Sequence, residues 1–420
     1  MQRRSPLPPI SVHELELPDF SEEWLSSGAD RSASFRRLES SWEHHWLAKT
    51  SMGFAVTRHE DVYAVLRDRR FENALSKLHQ DVVIVDEDGT ERIASKSMVV
   101  MEGEEHTRLR RLVSPAFSPK AADRLRPFMR EVANGLIDAV AQDGRVEAVS
   151  QLCDPYPVPV ISELLGAPKG DWRQFSEWAE IMFRRYSKDA ADQMPAIRQA
   201  SQDLRTYMVS LIKSRRRDPQ DDLLSILIAV EEEGDRLSTE ELTTMAETIL
   251  MAGTDTTRNQ LGSSIAILMD HPEQWDLLAK DPELASQAVE ECLRYVVAVR
   301  GTSRFASEDI EYRGVLFPAG TVVETVSMSA NMDTEAWGDN AEVFDITKER
   351  TAKNVTFGSG FHHCLGAALA RAQLQEMLPL LAKRLPDLAL DGPLVWKPPT
   401  TGIWGPSSLP LRFTTQPTSD

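Results

Sequence analysis

Residues 357–366 read Phe357-Gly358-Ser359-Gly360-Phe361-His362-His363-Cys364-Leu365-Gly366, a glycine-rich loop that delivers one cysteine to the start of a helix. Glycine permits backbone angles that residues with a Cβ resist. The following segment, Leu365–Leu380, is rich in Ala, Leu, Gln and Glu, which favour helix. A thiol at a helix N-terminus faces unpaired N–H groups and the positive end of the helix dipole, so we expect a lowered pKa for Cys364. A thiolate beside a flat, glycine-lined surface suits an axial haem ligand.

An isolated cysteine on an apolar helix is ordinarily a small buried hydrophobic residue. Here, however, the pattern Phe-Gly-x-Gly-x-His-x-Cys-x-Gly resembles the haem-binding loop of the cytochrome P450 family of haem-thiolate monooxygenases. The resemblance implies that Cys364 is the axial ligand of the haem iron. It also implies that Phe357, Gly358 and Gly366 lie against the haem. His363 receives no role from the pattern.

The composition argues against several classes of function. The chain has 420 residues, with 47 Lys and Arg against 65 Asp and Glu and a net charge of −18. Such an acidic chain is a poor candidate for non-specific nucleic-acid binding or for resting on anionic lipid. The three cysteines, Cys153, Cys292 and Cys364, are widely spaced, which fits a reducing compartment.

The N-terminus is polar and proline-rich, and no apolar segment typical of a signal peptide or an anchor follows it. We expect residues 1–15 to form an extended arm. No repeat, low-complexity segment or Gly/Ser linker divides the chain, so we expect a single domain over residues 1–420. These features predict a monomeric cytoplasmic protein, and the resemblance is to bacterial-type members of the family that lack a membrane anchor.

A His/Arg pair occurs in a segment of helical character, residues 105–113. His106 and Arg110 are four residues apart and share a helix face, from which they are able to hold a carboxylate. A solvated basic face is the simpler alternative. The resemblance implies that both bind haem propionates, although Glu-Gly-Glu at 102–104 replaces the Asp-Pro-Pro frequent in the family. Arg108 and Arg111 point elsewhere and are candidates for docking an acidic electron-transfer partner.

The resemblance assigns two further propionate-binding positions. Arg304 in Ser303-Arg304-Phe305 matches one of them, with Arg300 as an alternative, and His362 in the cysteine loop matches the other. Arg300 is also a candidate for pairing with a substrate carboxylate.

A helix of roughly thirty residues, Glu240–His271, is far longer than the mean and predicts an element that crosses the centre of the fold. Its middle reads Ala252-Gly253-Thr254-Asp255-Thr256-Thr257, and the Gly, Thr and Asp residues there weaken a buried helix. One interpretation is a packed kink, and another is a functional site. The sequence resembles the family's Ala-Gly-x-Asp/Glu-Thr motif. That match implies that Thr256 is the alcohol acting on bound oxygen, that Asp255 relays protons from solvent, and that Ala252 and Gly253 lie over the haem where the helix opens.

Glu291 and Arg294 lie three residues apart on the next helix, Leu284–Tyr295. They match the family's Glu-x-x-Arg, which implies a buried structural network, whereas Glu290 lies off that spacing. Four apolar residues, Val296, Val297, Ile403 and Trp404, are candidates for the substrate pocket.

The resemblance therefore implies a mainly α fold with a minor β region, the cytochrome P450 fold, with its long central helix over a buried b-type haem (iron protoporphyrin IX). The implied reaction inserts one oxygen atom of O₂ into a hydrophobic small molecule such as a terpenoid, steroid, fatty acid or polyketide. Because the sequence lacks a Rossmann or flavin fingerprint, electrons from NAD(P)H must arrive through a separate ferredoxin or flavodoxin and its reductase.

Two alternatives stay open. One is a peroxide-driven hydroxylase or decarboxylase on the same scaffold, against which the pair Asp255-Thr256 argues. The other is a non-catalytic haem-binding protein, against which the same pair and Cys364 argue.

Overall fold

Helices dominate the computed structural model of the chain, which describes residues 9–20, 46–78, 83–85, 91–93, 97–183, 190–229, 237–398 and 403–415. The helices of this part are α1 (His59–Arg67), α2 (Leu75–Leu78), α3 (Gly103–Val113), α4 (Pro119–Val140), α5 (Pro157–Leu165), α6 (Trp172–Phe183), α7 (Ala190–Arg217), α8 (Leu223–Ala229), α9 (Thr239–Asp270), α10 (Pro272–Lys280), α11 (Ala285–Tyr295), α12 (Ser327–Ala330), α13 (Thr334–Trp337) and α14 (Ala367–Arg384). None of these helices is long and apolar enough to cross a membrane. The predicted fold class, mainly α with a minor β region, is confirmed.

Short strands form small sheets at the edges of the helical body. The strands are β1 (Ile10–Ser11), β2 (Leu47–Thr50), β3 (Gly53–Val56), β4 (Phe71–Asn73), β5 (Val83–Val85), β6 (Glu91–Ile93), β7 (Arg145–Glu147), β8 (Gly301–Ala306), β9 (Ile310–Tyr312), β10 (Val315–Phe317), β11 (Val322–Val326), β12 (Ala389–Leu390), β13 (Val395–Trp396), β14 (Pro406–Ser408) and β15 (Pro410–Arg412). The largest sheet has the order β2-β3-β11-β8-β4, in which β3 and β11 run parallel. This sheet carries Arg304 on β8.

The central helix, α9, is 32 residues long and begins one residue before the predicted start. A capping box fixes its N-terminus: Ser238 Oγ accepts from the N–H of Glu241, and the Glu241 carboxylate accepts from the N–H of Ser238. Helices α5, α6, α7, α11 and α14 pack around it. The helix therefore runs through the main hydrophobic core and carries Asp255 and Thr256 into it.

The expected opening of the central helix at Gly253 is absent, because α9 is a continuous α-helix through this position. Gly253 serves a close approach instead. A Cβ built on it would lie 2.7 Å from Ile161 Cδ1 on α5, so the missing side chain lets the two helices come together.

The described part of the N-terminal arm is anchored to the fold. Ile10 pairs in parallel with Val315 of β10, and Val12 is fully buried in a second, smaller core. The extended arm over residues 1–15 stays a prediction, and residues 1–8 lie outside the described part.

Candidate active site

The cysteine loop is built on two glycines in the left-handed region, Gly358 and Gly360, each with φ +67°. The N–H of Cys364 donates to the carbonyl of Phe357 at 2.8 Å, which closes the loop. Helix α14 begins at Ala367 with Gly366 as its cap, so the cysteine stands just before the helix. The loop prediction is confirmed in its placement, although the helix starts two residues later than expected.

Two arginines lie beside the thiol of Cys364. Arg110 donates to the carbonyl of His363, and Arg371 lies over the ring of Phe357, with its Cζ 4.5 Å from the ring centroid. Both line, with Cys364, a cleft of about 480 Å³, within which the cysteine is accessible. The cleft therefore brings two positive charges to the one candidate iron ligand.

The pKa of Cys364 lies above that of an ordinary thiol. Desolvation by the surrounding protein atoms raises the pKa, although the side chain keeps solvent exposure in the cleft, and the Gly366 N–H and the charges of Arg110 and Arg371 offset this only in part. The prediction of a lowered pKa is wrong for the uncoordinated thiol, because desolvation outweighs the helix terminus. Coordination to a metal ion deprotonates a thiol outright, so the raised pKa is compatible with a thiolate ligand.

A buried group of basic side chains lies on the other side of the loop. The rings of His106 and His362 are 4.5 Å apart, and His362 Nε2 lies 2.8 Å from the Glu102 carboxylate. Arg304 is 5% exposed and interacts electrostatically with the same carboxylate. The structure thus brings together three of the four predicted propionate-binding residues, while the fourth, Arg110, lies one helical turn from His106 and beside Cys364.

The three basic side chains of this group share one carboxylate, that of Glu102. His106 is buried, its Nδ1 has no hydrogen-bond partner among the described residues, and burial with nearby positive charge lowers its pKa to about 4. Burial also lowers the pKa of Arg304, which Glu102 opposes only in part. Buried cations and an unsatisfied imidazole call for an anionic partner. The two carboxylates of a haem supply it, so these residues fit the group.

On the central helix, Thr256 and Asp255 differ in their surroundings. The Thr256 hydroxyl donates to the carbonyl of Ala252 at 2.7 Å, and both residues retain exposure within the fold. Asp255 is buried, and its Oδ1 accepts from Arg258 Nε at 2.7 Å and from Asn259 Nδ2 at 2.9 Å. The alcohol is accessible and the carboxylate is held in an ion pair.

The Glu-x-x-Arg pair is the buried network that the sequence predicts. Arg294 Nε and Nη2 donate to the two carboxylate oxygens of Glu291 at 2.8 and 2.7 Å, and Arg350 adds a bond of 2.8 Å. Arg294 also donates to the carbonyls of Asn331 and Ala341. The network ties α11 to the segment before the cysteine loop.

Glu290 belongs to a different face of α11. It binds Arg371 and Asn354, and it therefore stands outside the Glu291 network, as its spacing predicts.

The four candidate pocket residues are mostly packed against protein. Val296 and Val297 are buried, and Gln260 Nε2 donates to the carbonyl of Val296 at 2.8 Å. The ring of Trp404 stacks on that of Trp396, with the centroids 4.3 Å apart. Ile403 beside it is partly buried.

Arg300 lies over the ring of Trp404, one of the two stacked tryptophans. Its Cζ is 5.4 Å from the Trp404 ring centroid, and burial lowers its pKa to about 10. The guanidinium is therefore held in a desolvated position by cation–π contact.

Arg108, a candidate docking residue, pairs with Glu241 on the central helix. Four residues of the site were not singled out as participants from the sequence: Glu102, Arg258, Gln260 and Arg371. Arg371 has a sequence signal, since it lies seven residues beyond Cys364, in the first turns of the helix that follows the loop. The other three contact residues that are distant along the chain, and no motif in the sequence indicates these contacts.

Known proteins resemble the chain over most of its length. The sequence profile of the family described as Cytochrome P450 matches residues 46–385. Nocardicin C N-oxygenase of Nocardia uniformis subsp. tsuyamanensis is 38% identical over 363 residues, 85% of this chain and 89% of that protein. Mycinamicin IV hydroxylase/epoxidase of Micromonospora griseorubida is 38% identical over 363 residues, 85% of this chain and 88% of that protein. The crystal structure of CalO2 has a TM-score of 0.82 at 30% identity, covering 92% of this chain and 96% of that chain.

Proposed function

Because the chain belongs to the cytochrome P450 family and is a haem monooxygenase, we propose that the thiolate of Cys364 would hold the haem iron. The observation that carries the proposal is the loop itself. It places one thiol beside Arg110, Arg371 and the Gly366 N–H, all of which favour the thiolate over the thiol. When bound, the haem supplies oxygen activation, and the thiolate's electron density favours O–O cleavage.

Four basic residues bind the haem propionates in this proposal: His106, Arg110, Arg304 and His362. His106 donates through the nitrogen that lacks a partner in the described residues. Arg304 provides a permanent charge at a buried position, which is effective because the low dielectric there strengthens ion pairing. Glu102 holds His362 in place by their hydrogen bond and offsets part of the positive charge of Arg304.

Asp255 and Thr256 manage protons on the central helix. Asp255 carries protons inward from the solvent side, and the Thr256 hydroxyl, accessible within the fold, orients them. Between proton transfers, Arg258 and Asn259 hold the Asp255 carboxylate in place by hydrogen bonds. This acid–alcohol pair favours use of O₂ over use of peroxide.

Electrons arrive from NAD(P)H through a ferredoxin or flavodoxin and its reductase. The cleft beside Cys364 carries Arg110, Arg126 and Arg371, and such a positive surface attracts an acidic carrier to the shortest route towards the iron. Among the two arginines named from the sequence, Arg111 is exposed and suits this role.

The substrate is a hydrophobic small molecule of secondary metabolism, in the class of terpenoids, steroids, fatty acids or polyketides, and the reaction is hydroxylation or epoxidation. Two similar proteins are named for reactions on nocardicin C and mycinamicin IV. A panel of such compounds is to be screened for displacement of the iron-bound water, read as a spin-state shift. If only polar, charged compounds produce the spin-state shift, this assignment is contradicted.

The central assignment is tested by ligation. Reduced protein under CO should show the red-shifted absorption of thiolate-ligated haem, and Cys364→Ala should lose it. The matched control is Cys292→Ala, which removes a buried thiol from α11 and should keep the absorption. A wild-type spectrum typical of histidine ligation would contradict the proposal.

A further inference from the structure

A second charged group surrounds Asp255 on the central helix. We call it the Asp154 cluster; it comprises Asp154, Asp255, Arg258 and Lys397. Its members come from three parts of the chain: the turn before α5, the central helix, and the segment after β13. None belongs to the haem-binding residues described above.

Arg258 is shared between two carboxylates. Its Nε lies 2.7 Å from Asp255 Oδ1 and its Nη1 lies 3.3 Å from Asp154 Oδ1. The two carboxylates differ in access to water, because the side chain of Asp255 is 8% exposed and that of Asp154 is 39% exposed. The guanidinium thus connects an interior acid to one that solvent reaches.

The C-terminal segment closes this group from the other side. The positive charge of Lys397 acts on both Asp255 and Asp154. Asn259 Nδ2 donates to Asp255 Oδ1 and to the Asp255 carbonyl, and a Cβ on Gly405 would lie 2.6 Å from Asn259 Oδ1. The inner carboxylate is therefore held on one oxygen only, while its Oδ2 makes no hydrogen bond with the described residues.

The pKa of Asp154 is raised, which favours its protonated form. Burial raises its pKa, and Arg258 and Lys397 oppose this effect, while the negative charges of Glu147 and Asp255 add to it. The net direction is upward, so Asp154 takes up a proton from solvent more readily than an ordinary surface aspartate does.

We propose that Asp154 is the solvent-facing acid that supplies Asp255 with protons, while Arg258 pairs with whichever of the two carboxylates is ionised. This inference rests on the proposed role of Asp255. One proton leaves the Asp154 carboxyl group, crosses intervening water and arrives on the Asp255 carboxylate. Asp154 then takes a proton from bulk water, and no electron moves. Arg258 stays charged throughout, since a guanidinium does not deprotonate in a protein. Asp154 acts through Asp255 and is a positioning and relay residue.

The first test measures oxygen consumption by the haem-loaded protein with NADPH and a surrogate ferredoxin and reductase, without organic substrate. Asp154→Asn keeps a hydrogen-bonding group but cannot ionise, so we expect consumption to fall about ten-fold, less than the roughly 10²-fold or greater loss from removing the acid itself. The solvent deuterium isotope effect should increase. Asp154→Glu should restore most of the rate.

The matched control is Asp138→Asn, which removes a carboxylate that pairs with Arg384 at 2.7 Å on other helices. It should leave both the rate and the isotope effect at wild-type values. Asp255→Asn distinguishes the relay through Asp154 from the proposed role of Asp255 itself. If Asp255→Asn slows consumption and Asp154→Asn does not, the relay is refuted and the proposed function stands. If Asp255→Asn has no effect, the proposed role of Asp255 in proton transfer is refuted, and the relay that rests on it is refuted as well.

A second readout needs no turnover. Infrared titration of the resting protein is read as the difference between the wild type and Asp154→Asn, because Asp61 also has a raised pKa. The difference should contain a carboxyl C=O band that disappears above the ordinary pKa of aspartate, and the difference between the wild type and Asp138→Asn should lack it. A wild-type-minus-Asp154→Asn difference without such a band would overturn the assignment of Asp154.

Discussion

Gly358 and Gly360 share a backbone conformation but differ in their surroundings. Both have φ +67°, where a residue with a Cβ is strained. A Cβ on Gly360 would lie 2.5 Å from the Leu66 carbonyl oxygen and 2.9 Å from Arg67 Cα, both backbone atoms at the end of α1. A Cβ on Gly358 would meet nothing closer than 3.9 Å, at the His362 carbonyl oxygen. Two alanine variants therefore separate strain from collision.

We expect Gly358→Ala to cost about 1–2 kcal/mol of unfolding free energy, the penalty of a left-handed residue. Gly360→Ala should cost about 1–3 kcal/mol more, because backbone atoms of α1 cannot move aside as a side chain would. It should also weaken haem retention, since the loop that carries Cys364 must shift. Urea unfolding and the CO spectrum measure the two effects. Equal losses in both variants would show that the approach to α1 is unimportant.

At the scale of single residues, the sequence predicted those features that are formed by neighbouring residues in the chain. The cysteine loop is a local pattern of glycines around Cys364, and its geometry follows from those residues alone. The partner of His362 is Glu102, 260 positions away, and only folding brings the two together. The pKa of Cys364 was predicted in the wrong direction for a related reason, since burial depends on the whole fold.

Among the elements, α11 presents two adjacent glutamates to different environments. Glu291 is 3% exposed and receives bonds from Arg294 and Arg350, whereas the side chain of Glu290 is 41% exposed and pairs with Arg371. We expect Glu291→Gln to cost about 3–5 kcal/mol of unfolding free energy, because it leaves buried guanidinium groups without a counter-charge. Glu290→Gln, the matched control, should cost about 1 kcal/mol or less. Similar losses in chemical denaturation would contradict the buried network.

The same variant has a defined pH dependence. Burial raises the pKa of Glu291, but the hydrogen bonds and charges of Arg294 and Arg350 outweigh it, so the folded pKa lies below the ordinary value. This contribution to stability is present above the unfolded pKa and is lost as the pH falls through the folded one. Acid should therefore destabilise the wild type more than Glu291→Gln below about pH 4.5.

Element boundaries followed from the sequence more closely than element partners did. The central helix was predicted to within one residue at each end, because a long helical pattern and a Ser/Glu capping box mark it. The parallel pairing of β3 with β11 joins Phe54 to Val323 and has no local signal. The stacking of Trp404 on Trp396 likewise has no local signal in the sequence.

Across the whole molecule, charge is distributed unevenly. The chain carries a net charge of −18, yet the cleft beside Cys364 presents Arg110, Arg126 and Arg371, with Asp123 as the acidic residue among its lining. Under the proposed function, we expect an acidic electron carrier to approach this face, because the net negative charge of the chain opposes its approach elsewhere. Such asymmetry orients an encounter before contact and raises its rate.

Arg111 offers a test of this orientation, because it is exposed on α3 one residue beyond Arg110. We expect Arg111→Glu to slow reduction by an acidic ferredoxin about ten-fold at low ionic strength, within the range of electrostatic steering. The difference should shrink as salt shortens the Debye length to about 8 Å at 0.15 M. Arg145→Glu, a reversal at a side chain that is 77% exposed on β7, is the matched control and should reduce normally. Stopped-flow reduction across a salt series measures both variants. If Arg145→Glu slows reduction as much as Arg111→Glu, net charge alone governs the encounter, and the cleft beside Cys364 does not direct it.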